Sequence, residues 1–572
     1  MWAGLATPAA EGSPLRPLSG LDGAFLALET DTSRLHVAAV LVLDLPEGPD
    51  GSAESADDRF AAIRAVVEER LALVPRLRRR VERVSGHLRR PVWVDDPDLD
   101  LDHHLRRVTL PAPGGTAELD ELVGAVLSHP LDLRRPLWEM VVVDGMAAGR
   151  CAVIARLHHA VIDGVSGVGA MAAFLDPSPR GRASPDESGD GGLRTPGGGA
   201  GGAGGDGGAG VAGGPGGAGG EGMGLPATQV PLPLPMPEHA AATSNRQPLA
   251  AAVALRRCMD AMVALAAQNR RLAAAGTASP PAPFSAPRTS LNGAVSGERR
   301  YARLAVPLED LEIVRAAATA ASAGGDHPPT ITDVVVCAVA AAVRRVLERR
   351  GEQPRDPLVA LVPVSTWREP TGAEQGPADV GNSVSGMLVR LPGLSDPPLG
   401  RLHDVSAATR VAKEQEERAG GDLLEVVTRA LPPALVSAAV RTTSRLGLFD
   451  SLPPPFNVVV STVRVPDVPL WWGARRVVEV YPAGPVAHGV GLNVTAMTYQ
   501  GTVHVGLAAC PQLLPDVDEL AVLLDDAFAE LVAAALDASP AGAAPFGMSE
   551  DVPDGRNRGA AGASSQGPGA VR

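Results

Sequence analysis

Aromatic residues make up only 3% of this 572-residue chain although 45% of it is hydrophobic, so Val, Leu and Ala must fill its interior. Cysteine is scarce too: the four, at positions 151, 258, 337 and 510, lie far apart and mostly within apolar runs. That spacing excludes C-x-x-C redox chemistry, indicates no disulfide framework or zinc site, and suits reduced thiols in a cytoplasmic protein. Long apolar stretches are also missing. The longest clean run, 334–343, is bounded by Asp333 and Arg344, about half of the ~20 residues a membrane span requires. A buried helix is expected there instead. The first 19 residues are rich in Ala, Gly and Pro but lack the continuous apolar core of a signal peptide, so export is not expected. Basic residues are outnumbered, 51 against 65 acidic, for a net charge of −14. Such a balance disfavours nucleic acid and uniformly anionic surfaces as partners, while local basic patches can act differently.

What is present divides the chain plainly. A length of 572 residues favours two domains, each able to bury a substantial core. Residues 1–14 read as a disordered N-terminus, and 15–178 as a mixed α/β domain with strands at 37–45, 138–144 and 152–157 and helices at 61–73 and 118–127. From 179 to 247 the composition collapses into Gly, Ala and Pro, which cannot offset ordering entropy by burial and implies a disordered linker. A bridging helix at 249–275 opens a second domain, 248–537. It carries a helix at 333–350, strands near 358–363, 387–391, 457–463, 490–498 and 502–508, and a final helix at 517–536. Residues 538–572 read as a disordered tail.

One constellation carries chemistry: His158-His159-Ala-Val-Ile-Asp163-Gly164, directly after the apolar run 151–157. Successive strand side chains point to opposite faces, so only one of the two histidines can meet a substrate and the other is structural. An imidazole titrates near neutrality and serves as a general base. Asp163 at the turn can fix the loop, and Gly164 permits the bend. A second pair, His103-His104, is followed by Leu-Arg-Arg rather than by an Asp-Gly turn and is read as structural. The arginines at 76, 78–80, 89–90 and 106–107 are read as a solvated helix end rather than a ligand site.

The motif, with other stretches in order, resembles the bacterial wax ester synthase/diacylglycerol acyltransferase family within the HHxxxDG acyltransferase and condensation-domain superfamily. The matching stretches are Pro17–Phe25 with Leu35-His-Val37, Leu131–Glu139 with its P-L-W, Leu291-Asn292-Gly293 with Arg299-Arg300, and Thr332-Asp333 with the valines after it. They continue with Pro363-Val-Ser365, Gly381-Asn382, Leu492-Asn493 and Pro515-Asp516, covering roughly 15–535 apart from one long insertion. One departure stands out: where the family reads S-N-V-P-G-P, this chain has Ser461-Thr-Val-Arg-Val-Pro466, which puts substrate preference in question.

The resemblance implies an α/β fold of two chloramphenicol-acetyltransferase-like domains sharing an active-site tunnel. It implies acyl-CoA as co-substrate, diacylglycerol or a long-chain alcohol as acceptor, no cofactor and no metal. It also implies a cytoplasmic enzyme peripherally associated with a membrane or lipid droplet. His159 is then the general base, with His158, Asp163 and Gly164 completing the motif and Trp138, Gly381 and Asn382 as substrate-binding residues. Asn382 and nearby backbone N–H groups are candidate oxyanion donors. CoA thiolate leaves readily and no G-x-S-x-G elbow is present, the stretch Gly164-Val-Ser166-Gly167 being one residue short, so no covalent intermediate is expected. Two alternatives stay open: condensation-type transfer from a carrier-bound donor, and a catalytically silent lipid-binding homologue.

Overall fold

The computed structural model describes residues 16–45, 54–82, 91–161, 164–179, 280–282, 284–321, 327–365, 384–418, 433–465 and 467–538. The expected bridging helix at 249–275, the Gly-rich linker and the tail lie outside the described residues. In the N-terminal half the elements run β1 (Arg16–Pro17), α1 (Gly20–Leu28), β2 (His36–Asp44), α2 (Ala56–Arg70), β3 (Arg79–Glu82) and β4 (Val92–Asp95). They continue as α3 (Leu101–His104), β5 (Leu105–Thr109), α4 (Thr116–Ser128), β6 (Trp138–Met146), β7 (Arg150–His158) and α5 (Gly164–Ala172). Helix α2 starts five residues before the expected 61 because Ser55 caps it, its Oγ accepting the Asp58 N–H at 3.1 Å.

The C-terminal half runs β8 (Arg300–Pro307), α6 (Leu308–Ala321), α7 (Ile331–Arg349), β9 (Val359–Ser365), β10 (Val384–Arg390), α8 (Pro398–Arg418) and α9 (Pro433–Arg445). It ends with β11 (Val458–Arg464), β12 (Trp471–Trp472), β13 (Arg475–Ala483), β14 (Leu492–Tyr499), β15 (Thr502–Ala509) and α10 (Val517–Ala538). Helix α7 is the apolar run read from the sequence. A capping box between Thr330 and Asp333 starts it, and Asp333 through Val343 are all buried, as a helix apolar on every side requires.

Two six-stranded sheets organise the molecule, in the orders β12-β13-β2-β7-β6-β5 and β10-β9-β11-β14-β15-β8. The first contains a strand from the far end of the chain: β13 pairs antiparallel with β2, from Ala483 opposite Ala38 to Val477 opposite Leu43. Residues 471–483, within the 248–537 stretch read as the second domain, thus complete the N-terminal sheet rather than the C-terminal one. The physical reason is core formation on both faces of β2. Val477 and Val480 join Leu41 and Leu43 in one apolar cluster, while Tyr481 and Ala483 join Val40 and Val42 in another. Where β13 passes over the second sheet, the backbones nearly touch. A Cβ at Gly506 of β15 would meet the Pro482 carbonyl oxygen at 1.8 Å, so only glycine fits. Tyr301 Oη donates to that same carbonyl at 3.0 Å.

Candidate active site

The antiparallel pairing of β2 and β7 places His36 directly opposite His158 at the end of both strands. Both rings are buried, at 2% and 0% exposure, and they meet edge to face with centroids 5.9 Å apart. Glu29, the residue that ends α1, lies between them. Its Oε1 is 3.6 Å from His36 Nε2 and its Oε2 is 3.4 Å from His158 Nε2. His158 Nδ1 accepts the Ala160 N–H at 3.0 Å, which leaves Nε2 as the protonated nitrogen, aimed at the carboxylate. Burial alone would raise the Glu29 pKa, but the two rings outweigh it and hold the carboxyl down at about 2. Burial pushes His36 down to about 3, against the opposing pull of Glu29, so its ring is neutral near pH 7.

His159 sits differently. Its backbone N–H donates to the Leu35 carbonyl at 2.7 Å, while its half-buried ring stacks on Phe25 of α1 with centroids 4.1 Å apart and planes 26° apart. The turn beyond is braced from another element, Arg76 Nη1 donating to the Val161 carbonyl at 2.9 Å. Thus α1 supplies both the carboxylate behind His158 and the aromatic face under His159. Gly164 opens α5. Asp163, Gly381 and Asn382 lie outside the described residues.

The P-L-W stretch supports this end of the sheet from the other side. The Leu137 carbonyl accepts the His158 N–H at 3.0 Å, and Trp138 pairs across from Leu157. Trp138 is 2% exposed, its ring stacked on His104 and its Nε1–H donated to the Leu77 carbonyl at 2.7 Å. The structure gives Trp138, expected as a substrate-binding residue, a core-packing position. Next to it, Glu139 pairs with the buried Arg156, two residues before the histidines. Arg89 and Arg90 of the arginine patch lie outside the described residues, and Arg78 is exposed at a helix end as expected, but four others are paired. Arg79 pairs with Asp95, Arg80 with Glu82, Arg106 with Glu139 and Arg107 with Asp144. For Arg79, Arg106 and Arg107 the neutralising carboxylate is close in space but distant in sequence.

Other motif residues do structural work. Asp333 caps α7 and accepts the Thr409 hydroxyl at 2.6 Å. Asn292 donates to the carbonyls of Phe456 and Gly489, and its Oδ1 accepts from Asn457 at 2.8 Å. In the departing 461–466 stretch, Thr462 lies 2.7 Å from the Thr332 hydroxyl, tying β11 to the start of α7. A surface cleft of about 390 Å³ lined by Arg344, Arg355, Asp356 and Arg390 lies at the Val359 and Arg390 ends of β9 and β10. That is the opposite end of the pair from Ser365 and Val384, which lead toward Gly381-Asn382.

Glu29 and His36 have no role in the reading of the sequence, although Leu35-His-Val37 belongs to the family resemblance. The signal available was a histidine opening a strand and an acid ending the preceding helix. The pairing of β2 with β7, 129 residues on from Glu29 at His158, is what gives them meaning.

Two family models match the chain: the wax ester synthase/diacylglycerol acyltransferase catalytic domain over residues 18–198 and 221–323, and the WS/DGAT C-terminal domain over 380–532. A putative diacylglycerol O-acyltransferase of Mycobacterium tuberculosis is 31% identical over 531 residues, covering 92% of this chain and 93% of its own. Among solved structures, a wax ester synthase/diacylglycerol acyltransferase from Marinobacter aquaeolei VT8 has a similar fold, with a TM-score of 0.59 at 24% identity over 91% of this chain and 100% of its own. The first condensation domain of the calcium-dependent antibiotic synthetase shares the fold more distantly, with a TM-score of 0.51 at 16% identity over 92% of this chain and 98% of its own. With both family models matched in order and the mycobacterial relative aligned almost end to end, this chain belongs to the wax ester synthase/diacylglycerol acyltransferase family.

Proposed function

We propose that the chain is an acyl-CoA:diacylglycerol O-acyltransferase that forms triacylglycerol, with long-chain alcohols as alternative acceptors giving wax esters. The observation that carries the reading is the asymmetry of the histidine pair. His158 is sealed behind Glu29, while His159 is half-buried on Phe25 in a turn fixed by Ala160 and Arg76. His159 removes the proton of the acceptor hydroxyl as its oxygen attacks the thioester carbonyl. The tetrahedral intermediate then collapses, the C–S bond breaks, and CoA leaves as a thiolate that takes up the proton. No covalent enzyme intermediate forms. In this reading Asp163 holds the loop, and Asn382 with Gly381 helps bind the thioester and its oxyanion within the tunnel between the two halves. The enzyme works from the cytoplasm against a membrane or lipid-droplet surface, where its acceptor resides.

Product analysis tests this. Purified protein given labelled palmitoyl-CoA with diolein or hexadecanol is expected to yield triacylglycerol or wax ester with stoichiometric free CoA. Binding of palmitoyl-CoA without any ester would point instead to a silent lipid-binding protein. Acylation of an amine carried on a protein-bound thioester partner, without acylation of either alcohol, would point to condensation-type transfer.

A further inference from the structure

Beyond α9 the chain makes a tight, well-anchored loop. Gly447 turns it with a φ of 64°, and a single 3-10 turn follows over Leu448–Asp450. Three contacts fix it. Phe449 turns inward to stack on His488 with centroids 4.7 Å apart, Asp450 Oδ1 accepts the Ala294 N–H at 2.8 Å, and Arg288 Nη1 donates to the Leu452 carbonyl at 2.9 Å. So ordered, the loop hides its aromatic and displays its leucines: Leu446, Leu448 and Leu452 are 65%, 43% and 49% exposed. Among the described residues nine large apolar side chains are exposed, and three of them fall within these seven positions. Single exposed leucines need no explanation, but three on one anchored loop form a patch.

The charge around the patch is opposite to that of the chain. In a protein of net charge −14, residues 433–452 contain Arg441 and Arg445 against a single acid, Asp450, one oxygen of which accepts the Ala294 N–H. Arg441, Arg445 and Arg288 are all exposed, so the leucines have a cationic rim. The patch is also close to the chemistry. Ser437 of α9 donates to the Ala27 carbonyl of α1 at 2.9 Å, Leu28 is 39% exposed, and the next residue is Glu29, beside His158. No helix among the described residues is long and apolar enough to cross a membrane.

We propose that Leu446, Leu448 and Leu452, rimmed by Arg288, Arg441 and Arg445, form the surface by which the protein docks on an anionic phospholipid surface. The leucines insert among the acyl chains while the arginines meet the head-group phosphates. The choice of a lipid surface as occupant rests on the proposed function, whose acceptor is dissolved in such a surface.

The test uses the full-length chain with phosphatidylcholine vesicles, with and without phosphatidylglycerol, read by co-sedimentation. Wild type is expected to bind the anionic vesicles. The triple variant Leu446→Ser, Leu448→Ser, Leu452→Ser is expected to bind at least about tenfold more weakly. Arg441→Gln with Arg445→Gln is expected to weaken binding about thirtyfold at low salt, about fivefold per charge, and only on anionic vesicles. A second readout separates docking from catalysis. The triple variant is expected to release CoA at the wild-type rate with a dissolved short-chain alcohol and to lose activity on vesicle-borne diolein. Vesicle binding by the triple variant equal to wild type overturns the proposal, as does a wild type that ignores both vesicles. A wild-type dimer that the triple variant splits, with vesicle binding unchanged, assigns the patch to a second copy and also overturns it. If no acceptor is acylated while vesicle binding still follows the leucines, the acyltransferase reading falls and the docking surface stands.

Discussion

The chain contains two adjacent histidine pairs, and they are built in opposite ways. In His103-His104 the first ring is exposed and the second is buried, stacked on Trp138 with its Nδ1 donating to the Trp138 carbonyl at 2.8 Å. In His158-His159 the first ring is buried beside a carboxylate and the second is half-buried on Phe25. A backbone carbonyl consumes the proton of His104 for packing, whereas Glu29 anchors His158 beside His159, the proposed base. Two histidines in a row are therefore not alike; the carboxylate and the turn behind them set the proposed site apart.

This contrast can be broken from several directions. The largest effect is expected from His159→Ala, which should lower kcat by about 10²–10⁴-fold at an unchanged melting temperature, in steady-state CoA release. Glu29→Gln comes next. Removing the charge between two buried rings should cost about 1–3 kcal/mol in denaturant unfolding and slow turnover, with Glu29→Asp recovering part of the rate. Acid should loosen the same cluster. In the unfolded chain His36 takes up a proton near its ordinary 6.5 and Glu29 near 4.5, but in the fold they do so only at about 3 and about 2. The unfolded state thus binds more protons in this window, and the stability the cluster contributes is whole above pH 6.5 and lost as pH falls toward 2. Melting temperature followed against pH should fall more steeply for wild type than for His36→Asn, and parallel curves would contradict the assignment. The smallest effect belongs to His103→Ala, which should change stability by less than about 0.5 kcal/mol and leave turnover alone.

How much of this was legible in the sequence differs between local and distant features. Helix α7 was legible because its apolar run has a charged boundary at each end, and β7 because the Cys151–Leu157 run, apolar but for Arg156, leads into the histidines. Strand β13 was not. Glu479 and Pro482 interrupt its alternation, and its partner β2 lies more than four hundred residues away, so nothing local marks it as the strand that closes the N-terminal sheet. The site divides in the same way. The histidine pair was visible as a motif with a turn behind it, while Glu29 and His36 acquire a role only through strand register. The arginines at 76–80 and 106–107 looked alike as a cluster, yet their partners distinguish them: Arg76 braces Val161, while Arg79, Arg80, Arg106 and Arg107 pair with carboxylates.

The central claim is that His159 acts as the base in a turn that Glu29 holds through His158. A double-mutant cycle on kcat with palmitoyl-CoA and diolein tests it most directly. The account predicts that Glu29→Gln slows the wild-type enzyme but changes the residual rate of His159→Ala by less than about twofold, since the base it positions is already gone. Equal slowing by Glu29→Gln in both backgrounds would contradict it and make Glu29 a general support of the fold.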